Sequence, residues 1–191
     1  MKALILDGSH AGDNLSQRAH ECVLQELSRR GWETSTLVLR DKQIGPCIEC
    51  FGCWLETPGL CRIPDDGPAI SRSIIQSQLA VFLTPLTFGG YSSHLKKALD
   101  RSICLISPFF TSIGGEVHHE TRYRQYPRFL AIGTAHREDA ASEQIFERLV
   151  GRNAINLHAP DHAVVVLHDS GGAEKIGAKL EGLFPSAEGR R

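Results

Sequence analysis

Four cysteines fall close together in Cys47-Ile48-Glu49-Cys50-Phe51-Gly52-Cys53, followed by Cys61. Thiolates three residues apart can wrap one compact inorganic core, and iron–sulfur clusters are commonly held this way, with a fourth cysteine from further along. Structural zinc also accepts four thiolates, but usually from two C-x2-C pairs separated by a longer loop. The run of three favours iron–sulfur, with zinc and metal-free thiols as the alternatives. Pro46, Gly52 and Gly59 let the backbone bend around such a core. The other two cysteines read differently. Cys22 lies beside Val23 on the inward face of a predicted helix and Cys104 inside the apolar run Ile103–Ile106, so both are expected to be buried, inert thiols. The histidines show no ligand spacing, and the side chains of adjacent His118-His119 diverge, so none is read as a metal ligand.

A second stretch suits phosphate. Gly8-Ser9-His10-Ala11-Gly12-Asp13-Asn14-Leu15-Ser16 leaves an apolar run and enters a helical pattern. It offers hydroxyls at Ser9 and Ser16, an amide at Asn14, and the free backbone N–H groups of a helix start, His10 and Leu15 included. The helix dipole adds to those donors. There is no Walker lysine and no G-x-G-x-x-G, so triphosphate and dinucleotide readings are weak. The plain alternative is a capped helix, with Asn14 or Asp13 as the cap.

These residues need elements to position them. Lys2–Asp7, Thr34–Leu39, Leu79–Thr84, Phe129–Gly133 and Ala163–Leu167 read as short apolar strands. Helical patterns separate them at Asn14–Arg30, Ala69–Gln76, Ser92–Ile106 and Ala140–Gly151, and Gly171–Leu183 closes the chain. Such alternation argues an α/β fold with a parallel sheet covered on both faces. Right-handed crossovers leave few topologies, and the five-stranded doubly wound order 2-1-3-4-5 is the expectation. Ligands of open parallel sheets sit where strand order reverses, which points to Gly8–Ser16 and Pro85–Ser93. One domain over residues 1–186 is expected, with a Cys-rich loop at 40–66 and a frayed tail at 187–191.

Composition agrees with one ordinary globular domain. The chain has 191 residues, a net charge of −1 and 41% hydrophobic residues, and a domain of this size buries about 70% of its unfolded surface without disulfide staples. The near-neutral charge leaves no electrostatic footprint for nucleic acid or an anionic membrane. No run approaches the roughly 20 apolar residues of a membrane helix, and the first apolar run is too short for a signal peptide. A reducing, cytoplasmic setting is therefore expected, in which clustered thiols mean metal or redox chemistry.

In the order and spacing of its motifs, the chain resembles the NADPH-dependent FMN reductase family, of flavodoxin-like fold. The Gly8–Ser16 loop is similar to the family's phosphate loop. Thr84-Pro85-Leu86-Thr87-Phe88-Gly89-Gly90 is similar to its flavin loop, and Leu95-Lys96-Lys97-Ala98-Leu99-Asp100-Arg101 to the helix that follows. The cysteine spacing resembles that of the iron–sulfur flavoproteins, a branch carrying FMN and a [4Fe–4S] cluster. Other branches keep a similar Cys loop followed by Asp-Asp, as in Asp65-Asp66, without a cluster.

The resemblance implies that Ser9, His10, Asn14, Leu15 and Ser16 hold the FMN phosphate. It implies that Pro85, Leu86, Thr87, Phe88, Gly89 and Gly90 lie along the flavin ring, and that Cys47, Cys50, Cys53 and Cys61 ligate the cluster. Relatives often carry Tyr at the position of Thr87, leaving Phe88 or Tyr91 as the aromatic neighbour. Gly133-Thr134-Ala135-His136 departs from the Gly-rich turn of relatives. Implied partners are NAD(P)H or a ferredoxin-type protein as donor, and further copies of the chain in a homodimer or homotetramer. The competing readings are a cluster-free NAD(P)H-dependent FMN or quinone reductase, and a non-catalytic zinc-stapled binding module. Three smaller expectations complete the picture. Lys96 and Asp100 form a solvated i,i+4 ion pair. Asp65 and Asp66 open the next helix as negative charges. Gly114–Arg128 is an exposed loop, or else a lid or subunit contact near the flavin.

Overall fold

The computed structural model describes residues 1–169 and 172–184. In chain order the strands are β1 (Lys2–Asp7), β2 (Glu33–Val38), β3 (Leu79–Pro85), β4 (Ile106–Ile113), β5 (Glu116–Thr121), β6 (Arg128–Ala135) and β7 (His162–His168). The helices are α1 (Asn14–Arg29), α2 (Gly52–Leu55), α3 (Gly67–Gln76), α4 (Ser93–Arg101), α5 (Ala140–Asn156) and α6 (Gly172–Leu180). Five strands form one parallel sheet in the order β2-β1-β3-β6-β7. Counted along that sheet, this is the expected 2-1-3-4-5 order.

Strand alternation divides the core in two, because successive side chains point to opposite faces. Ala3, Ile5, Val81 and Leu83 pack with α1 and α6, against Leu15, Ala19, Val23, Leu27, Ile176 and Leu180. Leu4, Leu6, Ala80 and Phe82 pack with α3, α4 and α5, against Ile70, Ile74, Leu95, Ala98, Phe146 and Val150. Helices α1, α4 and α5 start on side-chain caps: Asp13 accepts from Ser16 N, Ser92 from Leu95 N, and Asp139 from Ala141 N and Ser142 N. Register aligns the strand ends, with Leu83 beside both Asp7 and Ile132. The loops after β1, β3 and β6 therefore leave the same edge of the sheet. No helix among the described residues is long and apolar enough to cross a membrane.

Three sequence expectations need correction. The helix expected over Ser92–Ile106 ends at Arg101, followed by a tight 3-10 turn at Ser102–Leu105. Ile103 and Ile106 kept helical spacing by coincidence, and Ile106 instead begins β4. The segment 106–121 is an antiparallel hairpin turned by Gly114 and Gly115, both at positive φ. Its two largely exposed strands carry no clean apolar alternation, so little strand signal was legible. The helix expected to stop at Gly151 runs on to Asn156. The expected tail at 187–191 lies outside the described residues.

Candidate functional site

The loop after β1 crosses close to the start of α4. A Cβ on Gly8 would come within 2.8 Å of Leu95 Cβ and Ser92 Oγ, so only glycine fits there. Ser92 Oγ donates to Gly8 O at 2.6 Å, and Ser9 N donates to Asp7 Oδ1 at 2.9 Å. Beyond that point the loop opens. Among the described residues, the backbone N–H groups of His10, Ala11, Gly12, Asn14 and Leu15 have no acceptor. One guanidinium and two imidazoles lie at this loop. Arg40 Nη1 donates to Ser9 Oγ at 3.1 Å, and the His10 and His94 rings meet edge-on at 5.6 Å. Burial, then Lys97, His10 and Arg40, hold the His94 imidazole below its ordinary pKa. Open N–H groups at a helix start beside the Arg40 guanidinium form an arrangement suited to a phosphate dianion.

Two candidates in this loop change role. Ser16 is buried, and its hydroxyl is engaged internally with Asp13 Oδ2 at 2.7 Å and Thr134 Oγ1 at 2.7 Å. It ties α1 to β6 and is not free for phosphate. The Leu15 side chain lies in the core, leaving only its N–H to offer. The capping alternative also holds, with Asp13 as the cap rather than Asn14, whose side chain is exposed. Arg40 was missed by sequence reading. A signal existed: β2 lies beside β1 with Val38 paired to Asp7, so the strand order itself brings Arg40 next to Ser9.

After β3 the chain makes a narrow turn. Thr87 and Gly90 exchange backbone hydrogen bonds at 3.0 and 2.9 Å, with Phe88 at φ 50° and Gly89 at φ 74° between them. A left-handed conformation costs a residue with a side chain about 1–2 kcal/mol, and Phe88 is 99% exposed besides. No intramolecular packing offsets either cost. The turn borders a cleft of about 290 Å³ between Leu86–Gly89 and residues Ala135, Arg137, Asp139, Ser142 and Glu143. Leu86 forms its floor over Gly133, where a Cβ would come within 2.2 Å of Leu86 Cδ1. Tyr91 is not available as an aromatic neighbour. It is buried, accepts from Asn153 Nδ2 at 3.1 Å, and burial pushes its phenol up to about 12.

The third site is the Cys loop. Glu49 and Phe51 adopt positive φ, and this winding brings Cys47, Cys50, Cys53 and Cys61 to the wall of one cavity of about 530 Å³. Trp54, Leu99, Arg101, Ile103 and Leu149 line it too. Cys50 is exposed, Cys47 and Cys61 are half-buried, and Cys53 is buried. Burial, then the charges of Cys104, Cys61, Cys47 and Cys50, push the Cys53 thiol up to about 11. That sulfur favours the neutral state unless a cation compensates it, as a metal core does. The convergence is partial: among the described residues no three His, Cys, Asp or Glu side chains are gathered tightly enough to hold one ion. Cys104 is buried as expected, yet its charge would be felt at Cys53, so it lies nearer the loop than its sequence position suggested. Cys22 is half-buried on α1, outside this cavity.

Residues 1–164 match the family described as NADPH-dependent FMN reductase. The chain belongs to this family. An iron–sulfur flavoprotein of Methanocaldococcus jannaschii is 32% identical over 102 residues, which cover 53% of this chain and 52% of that protein. One from Archaeoglobus fulgidus is 32% identical over 105 residues, 53% of each. The chain thus spans about half the length of the curated relatives it matches. Among solved structures, it is similar to an NAD(P)H:quinone oxidoreductase from Methanothermobacter marburgensis, with TM-score 0.70, 15% identity and 95% of both chains covered. It is also similar to an FMN-dependent NADH-azoreductase from Bacillus anthracis, with TM-score 0.69, 14% identity, and 94% and 95% covered. At these identities the likeness shows the fold.

Within this member of the FMN reductase family, the hairpin buttresses the Cys loop. Trp54 Nε1 donates to Ile106 O at 3.0 Å, and its ring lies 4.8 Å from His119, which lies 4.7 Å from Phe110. Gly59, at φ 86°, leaves room for Tyr123 Oη and Arg122. Buried His118 anchors β5 to α5 through Asn156 Oδ1 at 2.8 Å. Gly114–Arg128, expected as an exposed loop or else a lid or subunit contact, thus holds strand β5 and packs on the Cys loop through His119, Arg122 and Tyr123. Lys96 and Asp100 form the expected exposed pair at 2.6 Å. Asp65 does more than expected. It meets the start of α3 by accepting from Gly67 N, but it also pairs with buried Arg101 at 2.7 Å and accepts from Gly45 N.

Proposed function

We propose that this FMN reductase family member carries FMN across the loops after β1 and β3 and a [4Fe–4S] cluster in the Cys loop. It would pass electrons between NAD(P)H or a ferredoxin-type donor and an acceptor. The observation that carries the flavin assignment is the set of five open N–H groups in the loop that Arg40 contacts at Ser9, at the β1–β3 switch point. Bound FMN supplies acceptance of a hydride or of single electrons, and a cluster supplies single-electron transfer.

The chain's own residues do the positioning. Ser9 Oγ, oriented by Arg40, and the N–H groups of His10 to Gly12, Asn14 and Leu15 would hold the phosphate. Pro85–Gly90 would flank the ring with backbone donors, and Phe88 would exclude water from the cleft beside it, the return for its exposed, left-handed conformation. Cys47, Cys50, Cys53 and Cys61 would hold the cluster. Support for that comes from their shared cavity and from the relatives named iron–sulfur flavoproteins. The incomplete gathering of the sulfurs favours the second reading, a cluster-free NAD(P)H-dependent reductase. Exposed Ile48, Phe51, Leu55, Phe109 and Phe110, on the Cys loop and the hairpin, support an oligomer of this chain.

The functional test is anaerobic titration of FMN-loaded protein with NADPH, following the flavin band. Stoichiometric bleaching is expected, and a flavin left oxidised by NADPH, NADH and reduced ferredoxin alike would remove the proposal. The phosphate site has its own prediction. Arg40→Ala should weaken FMN binding about tenfold, the worth of one partly exposed charge-assisted hydrogen bond. An unchanged dissociation constant would take Arg40 out of the site.

A further inference from the structure

Arg101 ends α4 with its side chain wholly buried. Taking a guanidinium out of water is costly unless its donors are matched. Three of the matches are ordinary: Nη1 to Asp65 Oδ2 at 2.7 Å, Nη1 to Gly45 O at 3.1 Å, and Nη2 to Asp65 Oδ1 at 3.0 Å. The fourth is not. Nε, which has a single N–H, donates to Cys61 Sγ at 3.2 Å. A neutral thiol is a weak acceptor, so this donor is best matched by a sulfur carrying negative charge. Room is kept for the arrangement, since a Cβ on Gly67 would lie 2.9 Å from Arg101 Cζ.

Cys61 stands apart from the other three cysteines in this respect. Cys47, Cys50 and Cys53 share one wound turn, whereas Cys61 arrives from the far limb of the loop. Among the described residues, no arginine, lysine or histidine donates to Cys47, Cys50 or Cys53. We propose that Arg101 acts on the cluster through Cys61, its Nε hydrogen bond to that sulfur raising the cluster's reduction potential. The inference rests on the iron–sulfur reading above. A reduced cluster carries one more negative charge, shared with its ligand sulfurs, so a donor aimed at one sulfur stabilises the reduced form more. Asp65 cancels the long-range charge of Arg101, and the Nε–H directed at the sulfur remains as the local effect.

The test uses two variants of the full chain after anaerobic reconstitution with iron, sulfide and FMN. Arg101→Lys keeps a charge for Asp65 but has no Nε to donate. Arg101→Met with Asp65→Asn removes the pair together, so neither charge is left orphaned. Iron and sulfide per chain are measured first, then the cluster midpoint by potentiometry followed by electron paramagnetic resonance, with the flavin midpoint as internal reference. The expected result is iron at the wild-type level, an unmoved flavin, and a cluster about tenfold harder to reduce, about 59 mV lower for one electron. An unchanged cluster midpoint at full iron content overturns the inference. So does loss of iron from both variants with circular dichroism and FMN content intact, because Arg101 is then only a tether. A wild type that takes up no iron overturns the underlying reading, and this inference with it, before any variant is measured.

Discussion

Serine at Cys47, Cys50, Cys53 or Cys61 should strip most of the iron and acid-labile sulfide from the chain while leaving FMN content near the wild-type level. Ligand thiolates are bound deprotonated, and losing one leaves an iron open to solvent and oxygen. The four cysteines share the walls of one cavity, whereas the open N–H groups after β1 belong to a different loop. That separation is why the effect should be selective. Cys22→Ser and Cys104→Ser should keep their iron. Cys104→Ser should cost stability as well, since it places a more strongly hydrated hydroxyl in a buried site. Iron and sulfide assays on all six variants, each beside a flavin measurement, decide the ligand set. Loss of iron from Cys104→Ser with retention in Cys61→Ser would transfer the fourth position to Cys104.

The second large effect belongs to the ion pair under the loop. Asp65→Asn should destabilise the protein by about 3–5 kcal/mol at neutral pH, because it leaves the Arg101 guanidinium buried without its countercharge. For a chain of this length that lowers the melting temperature by roughly 10 °C. The penalty should depend on pH in a definite direction. Burial alone would raise the Asp65 pKa, but hydrogen bonds from Arg101, Gly45 N and Gly67 N outweigh it and hold the carboxyl below its ordinary 3.8. A depressed carboxylate pKa contributes stability that is fully present above the unfolded value and is lost as pH falls through the folded one. The gap between wild type and Asp65→Asn, measured by urea unfolding, should therefore be constant from pH 7 to about 5 and close below 3.8. A gap independent of pH down to acid unfolding would show that the pair contributes nothing through charge.

Much of this architecture was legible because the sheet is buried on both faces. Runs such as Ala3–Leu6 and Leu79–Leu83 have no polar alternation to confuse them, and Leu15, Ala19, Val23 and Leu27 mark one helical stripe. What was not legible depends on partners far apart in the chain. Asp65 reads locally as the start of a helix, and only the fold brings Arg101 to it. Ser16 reads as a free hydroxyl until Thr134 arrives from β6. The hairpin escaped because a two-stranded ribbon resting on a loop need not be apolar in alternation, and Phe109 and Phe110 break the pattern. Tyr91 escaped for the opposite reason. An aromatic next to a ligand loop invites a ligand role, but the residue packs edge-on against Phe146 in the core.

The central claim, that one chain holds both FMN and a cluster, is tested most directly by the visible spectrum of anaerobically purified protein, read with its metal content. Two flavin bands over a broad brown shoulder are expected, with about four iron and four sulfide per chain as a [4Fe–4S] centre requires. Flavin bands without iron would contradict the cluster and leave a plain family reductase, and a colourless protein with stoichiometric zinc would contradict both cofactors.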